Sequence, residues 1–188
     1  LLVDRAFHAE RRSSGVELAT TADLAHLAPG RRAQNLPAHL LADALAAAAL
    51  ARAAGADPEA VATGLRAYSP GAHRIVTVAE AEGVTWVDDS KATNPHSAQA
   101  ALTSLPQGTG VWICGGDTKG AQFFDLVRTV RPHLRGAVVI GKDQNDILAA
   151  LEREAPGLPV TRVSDGSAEQ VSAAAVEAAG AMARSGDT

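Results

Sequence analysis

The sequence predicts an α/β fold built on a doubly wound, mostly parallel sheet, and three observations carry that expectation. From about residue 84 onward, strand-like and helix-like segments alternate through short links, the pattern of right-handed parallel βαβ units. The runs Val111-Trp112-Ile113-Cys114 and Ala137-Val138-Val139-Ile140 are continuously apolar, as strands covered by helices on both faces must be. The break Tyr68-Ser69-Pro70-Gly71 divides a helical Ala/Leu-rich region from a period-two region and sets a domain boundary between 1–69 and 70–188.

Taken in order, Leu1-Leu2-Val3 and Val16-Glu17-Leu18 read as short strands at the edge of a domain, separated by the charged Glu10-Arg11-Arg12. Pro37 and His39 open a helix that runs to Ala54 and stops at Gly55, a proline near the start and a glycine past the end. Asp57 caps a second helix, with Pro58 at its first position, that reaches Leu65 or Arg66. After the break, Ile75–Val78 and Val84–Val87 form a hairpin around Glu82-Gly83. Helices are expected at Pro95–Leu105, Ala121–Leu134, Asn145–Glu154 and Ser167–Ala183, with strands at Val111–Cys114, Ala137–Ile140 and Val160–Val163. Val84–Val87 is expected as the first parallel strand, with Val111–Cys114 beside it. The turn Ser185–Thr188 falls where the alternation calls for one more strand, and the chain opens on an apolar run without Met, so it reads as a piece of something longer. The alternative is that the final helix ends the fold.

Length and composition narrow the function. The 188 residues suffice for one domain and part of another, and 46% hydrophobic against 20% charged residues is a globular composition. A formal charge of −4 provides no basic field for nucleic acid or anionic membrane, and 3% aromatic residues disfavour base stacking. Cys114, alone, forms no internal disulfide, which suits a reducing cytoplasm, and no apolar run approaches the roughly 20 residues of a membrane helix.

In open parallel sheets, ligands bind beyond the C-terminal strand ends. Two adjacent ends are dense in polar residues: Asp88-Asp89-Ser90-Lys91-Ala92-Thr93-Asn94-Pro95, and Gly115-Gly116-Asp117-Thr118-Lys119-Gly120. The first runs into a helix N-terminus, with Asn94 as cap and Pro95 at the first helical position, and with Lys91 and Lys119 it makes a site for a phosphate or carboxylate. Two of the three lysines, in a chain with 14 arginines, fall in these loops. Asp88 and Asp89 either accept hydrogen bonds from ribose or amine donors or neutralise Lys91. Gly115-Gly116 lets a ligand approach the backbone, although no Gly-x4-Gly-Lys-Ser/Thr phosphate loop is present. Arg74 reaches a phosphate or forms a structural ion pair; His39 touches a ligand or only caps. No residue is assigned to a metal, since no second histidine stands at ligand spacing from His39, and Cys114 reads as a buried, inert thiol. Ordinary solvated turns remain the alternative for both loops.

The run Asp89-Ser90-Lys91-Ala92-Thr93-Asn94-Pro95, preceded by His73-Arg74 and followed by Gly115-Gly116-x-x-Lys119-Gly120-x-x-Phe123, resembles the Mur ligase family. Its Ser-Lys-Ala-Thr-Asn form resembles the D-glutamate-adding branch. The resemblance covers nearly the whole chain and implies that 1–69 is the tail of a central ATP-binding domain and 70–188 most of a Rossmann-like C-terminal domain. It implies a cytoplasmic, monomeric ligase of peptidoglycan synthesis that joins D-glutamate to UDP-N-acetylmuramoyl-L-alanine through an acyl phosphate, with ATP and Mg2+. It also implies that the main Mg2+ ligands, the phosphate loop, the nucleotide-substrate domain and a last strand with a Ser-Pro-Ala motif lie outside these 188 residues, which alone are expected to be inactive. Carried over residue by residue, Lys91 and Lys119 are catalytic; Thr93, Lys119 and Asp117 hold the amino-acid substrate; Arg74, Asp89, Lys91, His39 and Asp43 serve ATP. The chain departs from the family at Leu40 and Asp43, where asparagines are usual in the adenine-contacting helix, and at Asp88, also commonly Asn. Alternatives are another Mur/folylpolyglutamate-type amino-acid ligase, or a non-catalytic α/β anion-binding module.

Overall fold

Leu2 and Asp4 face inward and Val3 outward, the alternation that a strand imposes on its side chains. In a computed structural model, which describes residues 1–7, 10–116 and 120–188, this strand belongs to the first of two units, Leu1–Val76 and Thr77–Thr188. Strand β1 (Leu2–Asp4) pairs antiparallel with β2 (Val16–Ala19), setting Leu2 opposite Ala19 and Asp4 opposite Val16. Three short 3-10 turns lead to helix α1 (Ala38–Ala53), and helix α2 (Pro58–Ala67) follows. The Asp57 carboxylate accepts the Ala60 N–H at 2.8 Å, so one amide of the first turn of α2 is satisfied. Ala44 and Ala48 of α1 join a core of Leu2, Leu18, Leu24, Leu27, Val61 and Leu65. Full burial of each large aliphatic side chain contributes about 1.5–3 kcal/mol. Asp4 is buried in this unit: Arg52 Nε donates to it at 2.7 Å and the Phe7 N–H at 2.9 Å, so the charge has both a counter-ion and a backbone donor.

The second unit begins with the hairpin β3 (Val76–Ala81) and β4 (Val84–Asp88). Glu82 and Gly83 both have positive φ (54° and 79°), the two-residue turn whose twist matches the strands it joins. Helix α3 (Pro95–Leu102) follows; it ends three residues before the expected Leu105, where Thr103 and Ser104 hydroxyls donate to the Gln99 and Ala101 carbonyls in a closing turn. Strand β5 (Gly110–Gly115) leads to α4 (Phe124–Val130), β6 (Leu134–Ile140), α5 (Asn145–Glu154), β7 (Val160–Val163) and α6 (Ala168–Met182). The expected helix to Leu134 stops at Val130. Pro132, with no N–H to donate, turns the next three residues into a 3-10 turn, and β6 therefore starts at Leu134 rather than Ala137.

Strands β5, β6 and β7 form a parallel sheet in that order, with Val111 opposite Gly136 and Val138 opposite Thr161. Residues of β6 alternate between its two faces. Ala137 and Val139 pack with Leu126, Val127, Val130, Ile147 and Leu151, whereas Val138 packs with Ala175 and Ala179 of α6. Gly136 allows α6 to come close, for a Cβ there would stand 2.6 Å from the Met182 sulfur. Both faces are thus covered, as the apolar runs require.

One expectation is corrected. β4 is not the neighbour of β5, because residues 186–188 lie between them. The Thr188 N–H donates to Thr109 C=O at 3.0 Å and its carbonyl accepts from Val111 N–H at 2.8 Å, the double exchange of a parallel bridge. On the other side, the Gly186 N–H donates to Gly83 C=O at 2.8 Å and the Asp187 carbonyl accepts from Thr85 N–H at 2.9 Å. The apolar pattern of β4 signals a strand whatever its neighbour is, so sequence alone placed it one position too close. Among the described residues, no helix is long and apolar enough to cross a membrane.

Candidate functional site

Both chain directions rise together across the 186–188 bridge, so β4 and β5 point the same way and their C-terminal ends share one edge of the second unit. The loop after β4 is built from its own short hydrogen bonds. Asp88 Oδ1 accepts the Ser90 N–H at 3.0 Å, the Ala92 N–H donates to Asp89 C=O at 2.8 Å, and the Thr93 N–H donates to Lys91 C=O at 2.8 Å. Asn94, in extended backbone, accepts the Ser97 N–H at 3.0 Å and starts α3 one residue before Pro95. This cap and proline fix where the loop must hand over to the helix. Lys91 and Thr93 are exposed, while Asp88 and Asp89 are half-buried.

The described loop 88–94 carries two carboxylates and one ammonium. Its attraction for an anion therefore rests on Lys91 and the positive end of α3, opposed by Asp88 and Asp89. The same carboxylates suit hydroxyl and amine donors. Asp117 and Lys119, expected at the next strand end, lie outside the described residues.

Gly115 and Gly116, just before them, differ in their surroundings. Gly115 (φ 139°) is pressed against β6, where a Cβ would lie 2.0 Å from the Ile140 carbonyl oxygen, whereas a Cβ on Gly116 (φ 110°) would meet nothing within 4 Å among the described residues. The first glycine is a packing requirement, and the second meets no described residue. Cys114, one residue earlier, is buried, and loss of solvation pushes its thiol above the ordinary range, which disfavours the reactive thiolate.

The remaining expected residues belong to the first unit. His39 and Asp43 stand four residues apart on α1, neighbours on one helix face, with Asp43 exposed. The His39 Nδ1 is buried and has no hydrogen-bond partner among the described residues, while Leu40, in the usual asparagine place, packs against the core. Arg74 is exposed between His73 (φ 66°) and Ile75 (φ 52°), both left-handed. For a β-branched residue that conformation is costly. Among the described residues no three His, Cys, Asp or Glu gather as a metal site.

Sequence reasoning missed two polar anchors of the second unit, one at this edge and one at the opposite ends of the strands. The Gln144 amide donates to the Gly141 and Val163 carbonyls at 2.8 and 3.0 Å and accepts from Arg162 Nε at 3.1 Å, tying the ends of β6 and β7. Arg135 of β6 forms a two-pronged ion pair with the buried Asp187. The only sequence signal was a polar residue after Gly141-Lys142-Asp143 in the first case and a turn aspartate in the second, both ordinary.

Comparison with known proteins matches residues 73–188, more than half of the chain, to the family described as "Mur ligase, glutamate ligase domain". The chain is 48% identical over its whole length to the UDP-N-acetylmuramoylalanine--D-glutamate ligase of Thermobifida fusca, and 48% identical to that of Streptomyces avermitilis. It is 45% identical to the protein of the same name from Leifsonia xyli. It spans 38%, 38% and 35% of those three proteins, respectively.

Proposed function

Since the chain belongs to the Mur ligase family, we propose that it is the C-terminal part of an ATP-dependent ligase that joins D-glutamate to UDP-N-acetylmuramoyl-L-alanine in peptidoglycan synthesis. The observation that carries the reading is the loop 88–94, which presents Lys91 and Thr93, exposed, at a capped helix start. In this reading 1–69 is the tail of the ATP-binding domain and 70–188 the amino-acid-binding domain. The protein acts in the cytoplasm as a monomer, without nucleic acid or membrane, and serves cell-wall growth and hence cell shape and division.

ATP supplies the phosphoryl group that activates the L-alanine carboxylate, and Mg2+ is held chiefly outside these residues. Thr93 and Lys119 hold the D-glutamate carboxylates, with Asp117 beside them. Asp89 accepts from the ribose hydroxyls, Arg74 and Lys91 balance phosphate charge, and His39 with Asp43 faces the base. None of these groups forms a covalent bond to substrate: they orient the amine and offset charge that grows at the reacting carboxylate. The 188 residues alone are inactive.

Calorimetric titration of D-glutamate into this chain, with L-glutamate as control, tests the reading. Stereoselective binding that is lost in Lys119→Ala and weakened in Thr93→Val is the expected result. Equal response to both enantiomers, or to neither in a chain shown by circular dichroism to be folded, argues against an amino-acid site here. ADP release by this chain alone on addition of D-glutamate and the uridine nucleotide would overturn its inactivity.

A further inference from the structure

The edge that carries the proposed site is assembled from strands that are not hydrogen-bonded to one another. β4 has no hydrogen-bonded place in the β5-β6-β7 sheet, and residues 186–188 supply backbone bonds to each side. Those bonds sit at the starts of the strands, at Gly83 and Thr85 on β4 and at Thr109 and Val111 on β5. The loops that carry Asp89, Lys91, Thr93 and Gly116 sit at the other ends, four residues or about 13 Å further on. The short segment is therefore a fulcrum with two arms.

What holds the fulcrum is an ion pair whose carboxylate is buried and whose arginine is half-buried. Asp187 is 2% exposed, and its carboxylate accepts from Arg135 Nε and, at 3.0 Å, from a second guanidinium nitrogen, as well as from the Arg184 N–H at 2.8 Å. Arg135 stands on β6, opposite the start of β5. The planar fork thus fixes both the place and the tilt of the segment, which a single-point contact would not do.

We propose that Arg135 and Asp187 are positioning residues for the ligand edge: through the segment 186–188 they set the spacing between the loop after β4 and the loops after β5 and β6. Neither touches the ligand. The functional part of this inference rests on the proposed amino-acid site; its geometric part does not. A tilt of about 10° at the segment moves the end of a 13 Å arm by about 2 Å. Displacements of about 1 Å at a binding constellation already have effects up to a hundredfold.

The test pairs a distance with an affinity. Spin labels on Ser90→Cys and Lys142→Cys report the gap between the loops after β4 and β6, and the buried Cys114 stays unlabelled in the folded chain. The distribution is expected to be narrow with Arg135 and Asp187 intact and broadened or displaced by about 2 Å or more with Asp187→Ala. Exchange of the pair, Arg135→Asp with Asp187→Arg, is expected to restore it partly. Arg128→Ala, which removes the exposed Arg128–Glu154 pair elsewhere in this unit, provides the control for simple destabilisation and is expected to leave the distribution unchanged. Without labels, D-glutamate affinity is expected to fall about tenfold or more in Asp187→Ala and to hold in Arg128→Ala. An unchanged distribution in folded Asp187→Ala, or equal broadening by Arg128→Ala, overturns the inference. Broadening specific to Asp187→Ala, in a chain that binds no D-glutamate even when intact, supports the positioning geometry and counts against the proposed amino-acid site.

Discussion

Gly115 and Gly116 are adjacent, both at positive φ, and differ in what an added methyl group would meet; substituting each by alanine separates backbone strain from collision. At Gly116 (φ 110°) the new Cβ has nothing within 4 Å among the described residues, so Gly116→Ala is expected to cost the unfavourable backbone conformation, about 1–2 kcal/mol. At Gly115 (φ 139°) the same backbone cost applies, and the Cβ would lie 2.0 Å from the Ile140 carbonyl oxygen and 2.8 Å from its carbon. These are backbone atoms held in the β5–β6 ladder, with Gly115 paired to Ile140, so relief requires parting the strands. Overpacking of that kind adds about 1–3 kcal/mol, giving about 2–5 kcal/mol for Gly115→Ala. Urea unfolding followed by tryptophan fluorescence reads this cleanly, since Trp86 and Trp112 are the only tryptophans and both lie in the second unit. The expected result is a midpoint shift for Gly115→Ala at least about twice that for Gly116→Ala, with unchanged slope. Equal shifts would refute the claim that contact with Ile140 is what demands glycine at 115.

Two further predictions concern polar anchors. Asp23 accepts hydrogen bonds from the Thr20 N–H and hydroxyl and from Arg66 Nε; the Thr20 backbone bond is the largest influence, and together they hold its carboxyl down to about 2 from an ordinary 3.8. A folded value below the unfolded one means the contribution is complete above pH 3.8 and is lost as pH falls toward 2. Hydrogen exchange of the α2 amides should therefore show acid weakening in that window that Asp23→Asn removes; an unaltered profile in the variant would assign it to other carboxylates. Asn94→Ala deletes the cap of α3 and should cost about 1 kcal/mol in the same tryptophan-monitored unfolding, with Asn94→Asp close to neutral; no loss would mean that Pro95 alone fixes the helix start.

The parts of the fold legible in the sequence were those set by local chemistry. Asp57-Pro58, Asn94-Pro95 and Ser167 each announce a helix start, and each side chain takes the capping bond that this requires. Glu82-Gly83 gave the hairpin turn. Boundaries failed where a proline or hydroxyl closed a helix early, at Pro132 and Thr103, because a local stop competes with a pattern that would allow continuation. The strand order was misplaced at β4 because adjacency depends on partners about a hundred residues away, which periodicity does not encode. In the candidate site, Lys91 and Thr93 were singled out from the density of polar residues at a strand end, and both are exposed on the loop after β4. Gln144 and Arg135 escaped notice because their roles exist only once β6, β7 and residues 186–188 are side by side.

The bridge at 186–188 also orders events in time. β5 and β6 meet across about two dozen residues, whereas Gly83 must wait for Gly186, about a hundred residues later in the chain. Closing the longer loop costs only about 1 kcal/mol more, so stability barely registers the difference. Contact order does register it, because long-range pairings slow the search. On a ribosome, the β3–β4 hairpin emerges well before the residues that fasten it. The strand that leads into the 88–94 loop is among the first of its unit to be made and the last to be secured.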